Sequence, residues 1–240
     1  MKRFLKIVGA LILIVPLAFA GYVAYRLTPK QLDLPLPEGL VGFNSDAGRA
    51  LLESSDYAAD YSVLAETWEG QKLISYCGVA SGVAVVNAFG QSVNQFSFFN
   101  ENTDLVRSRV DVTFGGMSLP NLAGLLEARG LEVSKLHGDE LSLEEFRELV
   151  KTNLLREGDY LLVNYQREVL GQSRVGHISP VGAYNAAGDQ MLILDTADYK
   201  YPYTWVPLAS LYDAMQEKDS ASGRARGLVE IRLPGNQFKP

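Results

Sequence analysis

The sequence predicts an α+β domain, helices first and strands later, and three observations carry that prediction. Runs with helical spacing of apolar residues, each opened or closed by a capping residue, occupy the first two thirds of the chain. Short β-rich runs separated by turn signals fill most of the rest. Hydrophobic residues make up 47% and charged residues 21% of the 240. That balance excludes wholesale disorder and gives one domain, or two small ones, enough material for a core.

Residues 1–6, MKRFLK, are basic, and residues 7–25 follow without a single charge. A bilayer core takes about 20 apolar residues as helix, against about 7–15 in the apolar core of a cleaved signal sequence. Length therefore favours a retained transmembrane anchor over residues 1–27. Pro16 and the small-x-small step Ala18-Phe19-Ala20 keep a cleaved signal peptide as the alternative. The basic excess ahead of the run leaves the N-terminus in the cytoplasm. The expectation is a single-pass protein of the cytoplasmic membrane with its domain on the periplasmic or outer side, or else a secreted periplasmic protein. Residues 28–41 carry three prolines and no helical period and read as an extended linker. Residues 42–240 form the folded domain.

Within it, Ser45 caps a short helix over 45–53. From Cys77 the run CGVASGVAVVNAFG spaces Val79, Val83 and Val86 helically, with Gly90 as its C-terminal cap. Ser118 precedes a second such helix, with Pro120 in its first turn and Gly130 after its last. Ser142-Leu-Glu-Glu145 is a capping box opening a third, which Gly158 closes. Residues 160–165, 177–184, 191–195 and 228–233 read as strands, with a helix over 208–216 between the last two. Segregated helical and antiparallel β layers follow, without an internal repeat.

Net charge narrows the function. The chain carries 22 basic and 28 acidic residues, and residues 31–240 alone have a formal charge of −11. That is a poor match to the phosphates of nucleic acid, which is not expected as a partner. One cysteine rules out an internal disulfide framework and any zinc site built on several thiolates, and no metal site is expected.

The same scarcity restricts catalysis. The chain has a single thiol, Cys77, and two imidazoles, His137 and His177. Thiolate is the reactive form of cysteine, and a helix start favours it. Gly78 lets a substrate approach closely. Gln71, six residues upstream, can share the oxyanion with the Cys77 N–H. His177 opens an apolar strand and Asp195 closes the next, after a hairpin turn that makes them antiparallel neighbours. Asp195 can then orient the imidazole. His137 sits in the polar stretch SKLHGDE and reads as a surface residue, and Asp198 as a loop acid.

Nucleophile, base and orienting acid in the order Cys, His, Asp resemble a papain-like thiol enzyme. The wording is closer still: QKLISYCGVASGVAVVNAFG, GMSLPNLAGLLEARGLEV, LLVNYQREVLGQSRVGHISPVGAYN and LILDTADYKYPYTWVPLASLYDAM strongly resemble the catalytic domain of phytochelatin synthases, in particular the short bacterial members. The resemblance spans residues 42–233. It implies a papain-like fold acting on glutathione, with Cys77 as nucleophile, His177 as base and acid, Asp195 as orienter and Gln71 as oxyanion donor. It also implies that Asn164, Asp219 and Arg226 hold the γ-glutamylcysteinyl group. A carboxylate beside a guanidinium suits the ammonium and α-carboxylate at that end of glutathione, and Arg226 and Arg167 are the candidate cations.

The plant-type members carry a cysteine-rich C-terminal region linked to metal sensing, whereas no further thiol occurs here. A divalent heavy metal such as cadmium or zinc would therefore enter only as an activator or a thiolate complex, and acylation requires no cofactor. The expected reaction is release of glycine from glutathione through a thioester on Cys77, which passes to water or to a second glutathione. The sequence leaves that choice and the oligomeric state open. The alternatives are a papain-like leader peptidase of the bacteriocin-processing type, and a non-catalytic membrane-anchored module binding a thiol peptide or metal.

Overall fold

The computed structural model describes residues 2–235, with side chains from residue 14 onward. In chain order its elements are α1 (Lys2–Leu27), β1 (Val41–Gly42), α2 (Asp46–Glu53), α3 (Tyr61–Thr67), α4 (Cys77–Ala88), α5 (Glu101–Val106), α6 (Arg109–Gly115), α7 (Leu119–Glu127) and β2 (Glu132–His137). They continue with α8 (Leu143–Leu154), β3 (Tyr160–Gln166), β4 (Gly176–Asn185), β5 (Gln190–Ile193), β6 (Thr204–Pro207), α9 (Leu208–Gln216) and β7 (Gly227–Arg232). Single 3-10 turns lie at Gly138–Glu140 and Arg167–Leu170.

Local chemistry starts the surface helices. Ser45, Ser118 and Ser142 each accept a backbone N–H three residues on, and Asn121 and Glu145 return the bond in the latter two. The helix α4 has no side-chain cap. Its residues from Gly78 to Val86 are buried on every side, so packing holds it, and Gly90 closes it in the left-handed region (φ +83°). The helix α8 stops at Leu154, four residues before Gly158.

The strands form one antiparallel sheet in the order β1-β6-β5-β4-β3-β7-β2. Neighbouring residues alternate between its faces. Leu162 and Val229 pack with Val79, Val83, Leu122 and Leu126 of α4 and α7. Leu161 and Leu228 pack with Phe146 and Val150 of α8 and Leu211 and Met215 of α9. Helices thus cover both faces, where a strict split into a helical and a β layer was expected, because strands apolar on both sides need two partners. The elements β1, β6, α3, α5 and α6 span two to seven residues, too few to show a period.

Among the described residues no helix is long and apolar enough to cross a membrane. An anchor or signal role for α1 is not shown by these residues, and the side chains of residues 7–13 in the uncharged run lie outside the described ones. The stretch 28–41 is bound to the domain over part of its length: Leu32 N and Leu34 N donate to the carbonyls of Tyr199 (2.7 Å) and Lys200 (2.9 Å). At the end of α1, the Leu27 carbonyl accepts from Ile74 N (2.9 Å), three residues before Cys77.

Candidate active site

Cys77 is the first residue of α4, and one buried hydroxyl ties that helix start to β4. Ser81 Oγ, a turn further on, is shared between the carbonyls of Cys77 (2.8 Å) and Ile178 (3.1 Å). Ile178 follows His177, so the bond fixes the nucleophile's helix against the base's strand. Gly78 is needed for space: a Cβ there would stand 2.5 Å from Met117 Sδ.

His177 and Asp195 sit on neighbouring strand ends, and His177 Nε2 donates to Asp195 Oδ1 at 2.9 Å. The same oxygen accepts from Ala197 N (2.8 Å) and Arg167 Nη2 (2.6 Å), and the guanidinium nitrogen also reaches Oδ2 (2.7 Å). A carboxylate so supplied with donors is ionised, which assigns the proton to His177 Nε2 and leaves Nδ1 as the basic nitrogen. Tyr165 meets the imidazole edge-on, with ring centroids 5.8 Å apart.

Arg167 departs from its expected place. It is 0% exposed, its other nitrogen Nη1 donates to Gln172 Oε1 (2.5 Å), and its guanidinium lies over the rings of Tyr165 and Tyr201. It stands behind Asp195 and does not line the cleft, because the buried carboxylate claims its charge. Sequence spacing offers no signal for this partnership, which joins residues 28 apart. Gln71 is also engaged elsewhere: Nε2 donates to the carbonyls of Leu73 and Ile74 (2.9 Å each), while Oε1 has no partner. Its amide hydrogens hold the loop before the cysteine.

Cys77, His177, Asn164, Asp219 and Arg226 line a single cleft of about 340 Å³. Arg226 Nη1 donates to Asn164 Oδ1 (2.9 Å), crossing Gly176 so closely that a Cβ there would lie 2.4 Å from it. Asp219 Oδ1 accepts from Ala221 N (2.9 Å). Three buried atoms beside the nucleophile, Asp219 Oδ2, Arg226 Nε and Asn164 Nδ2, have no partner, and such groups are costly unless a ligand meets them. A larger cavity of about 460 Å³, walled in part by Asp195, Asp198 and Lys200, holds neither the thiol nor the imidazole. His137, read as a surface residue, is buried, its ring Nδ1 2.7 Å from the Ala225 carbonyl.

Electrostatics set the resting protonation. Burial pushes the Cys77 thiol up, and the N–H groups of Ile178 and Gly78 with the charge of Arg167 pull it back only in part. Burial and the Arg167 charge bring His177 down to about 4, Asp195 opposing them. Asp195 would be raised by burial, but Arg167 and His177 hold it well below the usual carboxylate range. Both shifts oppose ionisation of the thiol and the imidazole that line this cleft, where the helix start alone suggested a thiolate. Among the described residues no group of three or more His, Cys, Asp or Glu side chains is arranged to hold a metal ion.

Comparison with known proteins finds relatives over most of the chain. The family model for phytochelatin synthase matches residues 31–228. Glutathione gamma-glutamylcysteinyltransferase 3 of Lotus japonicus is 31% identical over 210 residues, covering 85% of this chain and 43% of that protein. The glutathione gamma-glutamylcysteinyltransferase of Schizosaccharomyces pombe is 30% identical over 205 residues, 81% of this chain and 49% of its own. The chain thus spans about half the length of the curated relatives it matches. Among solved structures, xylellain, a cysteine protease from Xylella fastidiosa, aligns over 87% of this chain and 98% of its own at 10% identity and a TM-score of 0.39, too low to carry an argument. With the model matching from residue 31 through to β7, and Cys77, His177 and Asp195 all inside that span, the chain belongs to the phytochelatin synthase family.

Proposed function

We propose that this protein is a papain-like thiol enzyme that cleaves glycine from glutathione through a γ-glutamylcysteinyl thioester on Cys77. The observation that carries the reading is the convergence of Asp219, Arg226 and Asn164, with three unpartnered polar atoms, on the cleft that holds the only thiol. The carboxylate suits the ammonium of the γ-glutamyl end, and the guanidinium with the amide suits its α-carboxylate. A leader peptidase cutting a long peptide would not call for that pair. The curated relatives, named for transfer of this group, support the same reading.

In the first step His177 Nδ1 takes the thiol proton as Sγ attacks the cysteinyl carbonyl carbon. The oxyanion forms at the start of α4, where the Cys77 N–H donates to it. Gln71 joins as second donor when a loop carbonyl releases one of its amide hydrogens. Collapse breaks the C–N bond, and His177 returns the proton to the departing glycine nitrogen. Water, deprotonated by His177, then attacks the thioester and γ-Glu-Cys leaves. Alternatively, the amine of a second glutathione attacks and gives a phytochelatin dimer. Among the described residues Arg226 is the only cation lining the cleft, which favours water over a second anionic peptide.

Incubating the purified protein with glutathione and weighing the products tests the reading. Glycine with γ-Glu-Cys, or with the dimer, is expected from wild type and from neither Cys77→Ser nor Cys77→Ala. Absence of both products, with the variants indistinguishable from wild type, overturns it. We further propose that residues 1–27 hold the domain outside the cytoplasmic membrane, supported by the basic residues ahead of the uncharged run. External protease should degrade the domain in intact spheroplasts; protection until lysis would refute that placement.

A further inference from the structure

The pair Asp219 and Arg226 stands at the two ends of one hairpin, residues 217–226, and a separate segment grips that hairpin. Within it, Asp219 N donates to the Arg224 carbonyl (2.9 Å), Arg226 N to the Glu217 carbonyl (3.0 Å), and Lys218 bridges Ala225. Outside it, residues 137–140 take hold at three points. His137 Nδ1 is 2.7 Å from the Ala225 carbonyl, Gly138 N donates to the Arg226 carbonyl (2.8 Å), and Glu140 Oε1 accepts from Arg224 Nη2 (3.1 Å). Since a carbonyl only accepts, the ring must donate, so Nδ1 carries the proton. The approach is close: opposite His137, a Cβ at Gly227 would lie 2.1 Å from the Leu136 carbonyl oxygen.

Resting on the reading of Asp219 and Arg226 as the pair that takes the γ-glutamyl end, we propose that His137 is a positioning residue, its buried imidazole fixing Ala225 and through it the separation of that carboxylate and guanidinium. His137 touches neither the thiol nor the bond that breaks. It is outside the cleft lining, whereas Cys77 and His177 are anchored on α4 and β4. Loosening the hairpin therefore weakens recognition of the substrate's amino-acid end and leaves the chemical step intact. Recognition by paired charges depends on their spacing, so a small displacement of Arg226 is enough.

The test is steady-state kinetics of three variants with glutathione and with γ-aminobutyryl-Cys-Gly, which lacks the α-carboxylate. His137→Gln and His137→Ala should raise KM for glutathione about tenfold with kcat within twofold of wild type, and should shrink the preference for glutathione over the analogue. His137→Asn, whose side-chain amide sits where Nδ1 does, should restore most of both. Should the alanine variant fail to fold, the glutamine and asparagine variants carry the comparison. Unchanged KM and preference in His137→Gln, or a loss confined to kcat, would overturn the inference. Asp219→Asn and Arg226→Lys separate the two levels. If they raise KM while the His137 variants do not, only the positioning role fails; if they too leave KM unchanged, the substrate reading falls and this inference with it.

Discussion

Two buried carboxylate sites lie within the same sheet domain and behave in opposite ways. Asp195 has a guanidinium, an imidazole and an amide N–H as donors. Asp60, also buried, has one amide N–H from Gly158 on Oδ1 and no partner on Oδ2. Burial raises Asp60 to about 7, with the charges of Asp159 and Glu157 adding to it. Asp159, whose Oδ1 is also unpartnered, is raised to about 6 by burial and by Glu230. Burial pushes both Asp60 and Asp195 upward; at Asp195 the charge of Arg167, with His177, reverses the sign, and Asp60 has no such cation. Arg167 is therefore what separates an acid ionised at every working pH from one that titrates near neutrality.

The largest expected effect breaks the first site. Arg167→Met should abolish most activity and destabilise the fold by about 3–5 kcal/mol, the usual cost of leaving one partner of a buried ion pair unpaired. Glutathione turnover and urea unfolding measure the two, and a stable, active variant would show that Asp195 needs no counter-charge. Next comes the pH dependence of the thiol and imidazole. With His177 near 4, the base stays neutral above that value, so kcat/KM should keep its acid limb near pH 4 instead of near the 6.5 of a free imidazole. Alkylation of Cys77 in the resting enzyme should be slow at pH 6 and climb into the alkaline range, since the thiol is raised. Fast alkylation at pH 6 would restore the thiolate reading.

The second site is tested by stability. A carboxyl whose folded pKa exceeds its unfolded value stabilises the fold below the unfolded pKa, and that contribution is lost as pH rises through the folded one. For Asp60 the loss falls between about pH 4 and 7. Asp60→Asn should raise stability at pH 8 by about 2 kcal/mol and little at pH 4. Asp159→Asn should act the same way at about half that size, with its window ending nearer pH 6. Thermal melts of both variants across pH 4–8 would read this out, and parallel shifts at all pH values would contradict it.

How much of this was legible in the sequence follows the range of each signal. The capped helices at Ser45, Ser118 and Ser142 could be read directly, because a cap acts over three residues. So could the strands 160–165 and 177–184, whose ends put Asn164 and His177 opposite neighbouring positions. The roles of Arg167, Gln71 and His137 could not. A guanidinium after an apolar strand looks alike whether it faces substrate or carboxylate, and its partner is chosen by the 28-residue excursion that returns as β5. His137 looks exposed because its neighbours are polar, yet β7 folds beside it and buries the ring.

By itself the sequence determined the α+β class, the family and the cast of one thiol with two imidazoles, since composition, capping and short motifs are local properties of the chain. Only tertiary structure decided the charge states of that cast. Desolvation raises the thiol against the pull of Arg167, and desolvation and Arg167, brought across three strands, together lower the imidazole; the energy of a buried charge depends on what surrounds it in space, which no spacing along the chain encodes.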